Sequence, residues 1–107
     1  MKYHNVLFKE TMMDILYWLQ NWYHSNCDGE WEHLYGIKIE NLDNPGWSVD
    51  INLEWTELSY KPFKRVQYDN GEDDWLICFV ENNIFKGSGD SYKLIKILEI
   101  FKMWAES

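Results

Sequence analysis

The sequence predicts an α+β fold, in which an antiparallel β-sheet of about five strands is flanked by an N-terminal and a C-terminal helix packed on one face. Apolar and polar residues alternate from Trp47 to Trp55, which is typical of a strand with one buried and one solvated side. Turn residues separate the apolar runs in the middle of the chain, and apolar stripes of helical spacing lie near its two ends. A length of 107 residues is that of a single domain.

The first hairpin is the element against which the others are expected to pack. Its first strand alternates from Tyr35 to Ile39, and its second begins at Trp47. Asn44, Pro45 and Gly46 lie between them. Because proline presets φ at the second turn position and glycine takes positive φ at the third, this connection is predicted to be a type II turn.

Two helices are predicted. The first runs over about 11–25 with Thr11 as its cap, and residues 6–8 before it fit either a short strand or an apolar arm on the core. The second runs from a polar cap at residue 90 or 91 to about residue 105.

Three more strands are predicted at 66–68, 75–81 and 84–86, with the hairpin signal Asn70-Gly71 between the first two. Trp55 is expected on the apolar face of the strand that begins at Trp47. The stripes and strand faces together predict a shared core made of Ile15, Leu19, Trp47, Ile51, Leu53, Leu98 and Phe101.

The composition favours a protein partner. The net charge is −8 and the chain lacks the basic stripe of a nucleic-acid-binding protein. The same charge disfavours anionic membranes and favours a basic partner. Seven tryptophans and seven tyrosines exceed what a small core needs, so some rings are expected at a contact surface.

Cysteine usage and hydropathy predict a cytoplasmic protein. Cys27 and Cys78 do not form a disulfide framework. We find neither an apolar run of membrane-spanning length nor a signal-peptide pattern. The oligomeric state is left open.

The segment from Cys27 to His33 is the densest in residue types that carry chemistry. His24, Cys27 and His33 have the residue types of zinc ligands, but the second closely spaced pair of a strong zinc signature is missing. Carboxylates beside Cys27 disfavour its thiolate, and Cys78 lies among apolar residues. We therefore predict no catalytic residue, metal or cofactor; the alternative is a small metal-dependent or sulfurtransferase-like enzyme centred on this segment.

Large rings and clustered acid coincide at two predicted strand ends, around Trp31 and around Trp75. Acid also lies on the polar side of the strand that begins at Trp47. Such a combination suits contact with a basic protein. The predicted partner-binding residues are Glu30, Trp31, Glu32, Asp50, Glu54, Asp73, Asp74 and Trp75.

The chain resembles immunity protein family 53 from about Met13 to Ala105, leaving 1–12 as an extension of the single domain. The resemblance rests on segments 15–23 (ILYWLQNWY), 27–33 (CDGEWEH), 35–40 (YGIKIE), 42–49 (LDNPGWSV), 61–63 (KPF), 74–78 (DWLIC) and 97–101 (ILEIF). It implies a bacterial immunity protein of a polymorphic toxin system, which neutralises a cognate toxin domain by binding and is not an enzyme. Toxins of such systems are often nucleases, so the expected partner is a basic toxin domain.

Overall fold

The computed structural model describes the backbone of residues 2–107 and the side chains from Asp14 onward. The predicted α+β class, with five antiparallel strands and a helix at each end of the described chain, is confirmed. The elements are α1 (Lys2–Asn26), α2 (Trp31–Leu34), β1 (Ile37–Leu42), β2 (Gly46–Asn52), β3 (Val66–Asp69), β4 (Trp75–Glu81), β5 (Ile84–Gly89) and α3 (Leu94–Ala105).

The strands lie in the order β1-β2-β5-β4-β3, and all neighbours are antiparallel. After β2, residues 53–65 carry the chain to the far edge of the sheet, where β3 begins. The chain then returns through β4, so β5 is inserted between the two hairpins. The last strand in sequence is thus the central strand of the sheet.

Register assigns each side chain to one of two faces, because residues directly opposite one another point to the same side. Val49, Gly87 and Cys78 lie opposite one another across three strands, and all three are buried. We call this side the core face. α3 lies directly on it, since a Cβ at Gly87 would collide with Cγ2 of Ile97. Glycine at this position therefore permits the close approach of helix and strand.

α1 packs against α3 on the same side of the sheet. The rings of Trp22 and Phe101 meet edge to face, with centroids 5.0 Å apart, and Trp18 contacts Phe101 at 5.8 Å. The prediction that one core is shared by sheet and helices is confirmed for Ile15, Leu19, Ile51, Leu53, Leu98 and Phe101. Trp47 is only half-buried, and its indole nitrogen donates to the carbonyl oxygen of Ser91 at 3.0 Å.

The N-terminal boundary differs from the prediction. α1 begins at Lys2, so Thr11 lies inside the helix and the backbone of residues 6–8 is helical rather than a strand. No glycine or proline interrupts residues 2–26, so nothing in the sequence ends the helix before that point. Among residues 2–107, none of the helices combines the length and the apolar character needed to cross a membrane.

The first hairpin also differs from the prediction, although its two strands are present. Gly46 is the first residue of β2 and is not at positive φ, so the connection is not a type II turn. The Asn44–Pro45 peptide bond is cis. A Cβ at Gly46 would collide with the carbonyl oxygen of Gly89, and this close contact between strands explains the glycine.

Truncation of Leu98 to alanine should lower the free energy of unfolding by about 2–5 kcal/mol, because the side chain is fully buried in the core shared by the helices and the sheet. Ile95→Ala is the matched control on the same helix, since Ile95 is 55% exposed. We expect a change within about 0.5 kcal/mol for the control. Urea unfolding measures both values, and equal losses would contradict the assigned faces of α3.

Candidate functional site

Hydrogen bonds between carboxylates and the backbone hold the turn before α2. Asp28 Oδ1 accepts from the backbone N–H groups of Glu30 and Trp31, both at 2.9 Å. Glu32 in return accepts from the N–H groups of Asp28 at 3.0 Å and Gly29 at 2.8 Å. The segment with the most functional residue types is therefore a reciprocally capped turn.

The pKa values of both turn carboxyls are lowered. The N–H groups of Trp31 and Glu30 lower the pKa of Asp28. The N–H of Glu32 itself, with those of Asp28 and Gly29, lowers the pKa of Glu32 against the opposing effect of desolvation. Hydrogen bonds to the ionised form are the common cause. Both groups therefore stay ionised and hold the turn at neutral pH.

Trp31 is the clearest correction among the predicted contact residues. It was expected at the surface, but its side chain is 1% exposed. The turn folds back on α1, so the indole packs against the rings of Trp22 at 5.9 Å and Tyr23 at 5.7 Å. Trp31 thus anchors α2 to α1, and the surface expectation for its ring is wrong.

The candidate metal and thiol residues are dispersed. Within the described part of the chain, no three His, Cys, Asp or Glu side chains form a group that could hold a metal ion. Cys27 Sγ donates to the carbonyl oxygen of Tyr23 at 3.3 Å. Cys78 is fully buried on the core face, and desolvation raises its pKa to about 12. The Cys78 thiol is therefore protonated at neutral pH.

The side of the sheet opposite the core face is not covered by α1 or α3, and we call it the open face. Three half-buried apolar residues of β4, Trp75, Ile77 and Phe79, form a row along it. The guanidinium of Arg65 lies 4.9 Å from the centre of the Phe79 ring. An apolar row on an uncovered sheet face is the kind of surface that a protein partner covers.

Charges on the open face are more balanced than the sequence alone indicated. Asp50 lies on this face, between Lys38 of β1 and Lys86 of β5. Lys38 also lies 4.0 Å from the exposed carboxylate of Glu40. The excess of acid lies instead in the turn between β3 and β4.

The turn between β3 and β4 carries acid beside Trp75. Asp73 is exposed, whereas Asp74 forms a 3.0 Å ion pair with Lys93 and accepts a hydrogen bond from Asn70. Asp90, which is 1% exposed, accepts from Lys93 and from the N–H of Trp75, both at 2.8 Å. We call Asp74, Asp90 and Lys93 the turn anchor, since they tie this turn to the start of α3.

Electrostatics of the turn anchor favour its ionised form. Desolvation opposes ionisation of Asp90, but the hydrogen bonds from Lys93, Trp75 and Tyr92 together lower its pKa. Lys93, and then Asn70, lower the pKa of Asp74. The Asp90 and Asp74 carboxylates raise the pKa of Lys93. Two acids thus share one lysine, and Asp74 is less available to a partner than Asp73.

Glu54 lies at the other end of the sheet, just beyond β2. The sequence predicted that the strand continues to Trp55 with its ring in the core, and that expectation is wrong. β2 ends at Asn52, Trp55 adopts a φ of 63°, and its side chain is 58% exposed. Its ring meets that of Tyr35 at 5.1 Å and an angle of 89°. Period-two alternation could not locate this strand end, because the alternation in the sequence continues to Trp55, beyond the end of β2.

The predicted contact residues therefore do not form one patch. Asp73, Asp74 and Trp75 lie together, and Asp50 shares the open face with Trp75. Glu30 precedes α2 and Glu32 lies in its first turn, so neither belongs to a strand, and Glu54 follows the opposite end of β2.

Acidification should weaken the turn anchor. Because the folded-state pKa of Asp90 is lowered, its carboxylate contributes stability that is complete above the ordinary pKa of about 3.9 and is lost as pH falls through the folded value. The urea midpoint of the wild type should therefore fall more steeply from pH 5 to pH 2.5 than that of Asp90→Asn, whose amide does not titrate. Asp43→Asn, in an exposed loop, is the control and should keep the wild-type slope. Parallel slopes for wild type and Asp90→Asn would contradict this role.

Comparison with known proteins identifies the family. The profile of Immunity protein 53 matches residues 16–106, which include all five strands, α2, α3 and residues 16–26 of α1. No curated protein and no solved structure gives a significant match. The match extends over far more than half of the chain and agrees with the resemblance noted in segments 15–49 and 61–101. The chain therefore belongs to the Immunity protein 53 family.

Proposed function

We propose that this chain neutralises a cognate toxin domain by binding it, with no catalytic step of its own. Family membership over residues 16–106 is the observation that carries the proposal. The sequence resemblance adds the expectation that the toxin belongs to a polymorphic toxin system and is encoded beside this chain. Two free thiols, Cys27 and Cys78, fit a reducing cytoplasm as the place of action.

The surface proposed for toxin binding is the open face together with the turn between β3 and β4. Trp75 belongs to both, so an apolar row and an exposed acid lie next to each other. Aromatic residues at the centre and charged groups at the rim are the usual arrangement of a protein interface. Asp50 and Asp73 are the acids assigned to this contact.

A basic toxin domain is the partner that fits these charges. The net charge of −8 attracts a cationic protein and speeds its encounter. A nuclease has a basic surface, since it must neutralise the phosphates of its nucleic-acid substrate. We propose that carboxylates of this chain occupy basic groups that a nuclease toxin needs for its substrate.

An enzyme centred on the segment from Cys27 to His33 has less support. Asp28 and Glu32 are occupied by backbone N–H groups, and Trp31 is buried under α1. The functional residue types of this segment are therefore explained by their roles in folding. Glu30 is exposed there and remains a candidate contact residue outside the open face.

Co-expression tests the function directly. The toxin domain encoded beside this chain's gene should arrest growth of a host cell, and co-expression of this chain should restore growth. The purified proteins should form a stable complex. A chain that neither protects nor binds contradicts the proposal.

Charge reversal and ring removal should separate two kinetic effects at the proposed surface. Asp50→Lys with Asp73→Lys should slow association and weaken its salt dependence, because charges mainly speed encounter. Trp75→Ala should instead speed dissociation, and the binding free energy should weaken by about 2 kcal/mol if the ring is a hot spot. Surface plasmon resonance at two salt concentrations measures both rates.

Glu99→Lys is the matched charge control, because Glu99 is exposed on α3, which lies against the core face. A thermal melt must first show that each variant is folded, since the N–H of Trp75 is part of the turn anchor. Folded variants of all three positions with wild-type rates would place the interface on another surface.

A further inference from the structure

In the loop after β2, two large aromatic side chains are exposed to solvent on residues with an unfavourable backbone conformation. We call residues 53–61 the end loop. Trp55 has a φ of 63° and is 58% exposed, and Tyr60 has a φ of 60° and is 81% exposed. Residues other than glycine rarely adopt the left-handed region, because the Cβ approaches the backbone too closely. Exposed rings gain little from burial in the fold, so core packing does not explain why they occupy these positions.

The buried side-chain amide of Asn83 holds the end loop in this conformation. Asn83 is 8% exposed, and its Oδ1 accepts from the N–H of Tyr60 at 3.0 Å, while its Nδ2 donates to Ser59 Oγ at 2.9 Å. The carbonyl oxygen of Asn83 accepts from the N–H of Leu53 at 2.9 Å. One residue of the turn between β4 and β5 thus holds both ends of the end loop.

The middle of the end loop is equally constrained. Thr56 Oγ1 donates to the carbonyl oxygen of Leu53 at 2.8 Å and accepts from the N–H of Leu58 at 3.1 Å. Leu58 is 4% exposed and packs in the core. The loop is therefore ordered before any partner arrives, which reduces the entropy lost on binding. Backbone strain held in place by the surrounding structure is typical of functional sites.

The side chains at the end loop favour contact with a positively charged side chain. Trp55 and Tyr35 present ring faces at 89° to each other, and an indole face attracts lysine and arginine side chains. Glu54 and Glu57 flank this corner in sequence, and neither forms a salt bridge with another residue of the described chain. Lys61, the lysine of the loop, is turned to the end of α3, where it donates to the carbonyl oxygens of Trp104 and Ser107.

We propose that the end loop is a second contact with the toxin, in which a lysine or arginine side chain of the toxin lies against the corner of Trp55 and Tyr35. Tyr60, the second exposed ring of the end loop, is assigned to the same contact. The inference rests on the proposed function and adds to it a surface at the end of the sheet, as well as the kind of side chain that the surface receives.

The backbone part of the inference can be tested without a toxin. Tyr60→Gly should unfold at a higher urea concentration than Tyr60→Ala, because glycine adopts positive φ without a steric penalty and alanine keeps the Cβ. This order is the reverse of the usual effect of glycine on stability. Tyr92→Gly and Tyr92→Ala are the matched controls, since Tyr92 is similarly exposed but is not at positive φ. A Tyr60→Ala variant as stable as Tyr60→Gly would overturn the claim that the loop holds its rings against a backbone cost.

The binding part is tested with the toxin domain encoded beside this chain's gene. Trp55→Ala and Tyr60→Ala should each speed dissociation, with about a 30-fold increase expected for Trp55 if it is a hot spot. Glu57→Lys should slow association, because it reverses a charge beside the corner. Tyr17→Ala, an exposed position of α1 on the other side of the sheet from the open face, should leave both rates unchanged.

The outcomes separate this inference from the proposed function. If the wild-type chain binds the toxin domain but folded Tyr60→Ala, Trp55→Ala and Glu57→Lys keep wild-type rates, the inference is overturned and the function stands. If the wild-type chain does not bind, the function fails and the inference with it. Tyr60 and Glu57 are largely exposed, so their variants should fold even if Trp55→Ala does not.

Discussion

The ring of Phe101 joins the parts of this fold, and the rest of the arrangement depends on it. It is fully buried on α3 and contacts Phe85 of β5 and Trp22 of α1, each at 5.0 Å between centroids. The contact is possible because Gly87 lets α3 approach the central strand closely. α1 reaches the core largely through α3. Packing at one helix therefore sets the position of the other and commits one side of the sheet to the interior.

That commitment leaves the other side of the sheet uncovered by either long helix. The open face is formed by the five-stranded sheet, and both long helices lie on the core face. The segment from Cys27 to His33, which is dense in residue types that carry chemistry, is not part of the sheet. Asp28 and Glu32 end one helix and begin another, which is a folding role performed by residue types that also serve catalysis.

Much of the fold could be predicted from the sequence, because period-two and helical spacings report directly on burial. Two tryptophans show the limit of such spacings. Trp31 was expected outside and is buried, since its environment comes from Trp22 and Tyr23 of α1. Trp55 was expected inside and is exposed, since β2 ends at Asn52 and Trp55 adopts a positive φ in the loop that follows. The clusters of acidic residues are visible in the sequence, but their ion pairs are not. Lys93 pairs with both Asp74 and Asp90 only because the fold brings the three side chains together.

The position of β5 has a consequence for how the protein is made. A growing chain that has not yet reached Ile84 contains two separate hairpins, β1–β2 and β3–β4, which share no hydrogen bonds with each other. Each hairpin has an unpaired inner edge until β5 is inserted between them, and α3 can pack only afterwards. Contacts of this kind join distant parts of the chain and form late. The chain must therefore be synthesised through β5 before the five-stranded sheet can form, and synthesis interrupted earlier leaves strand edges that are prone to aggregation.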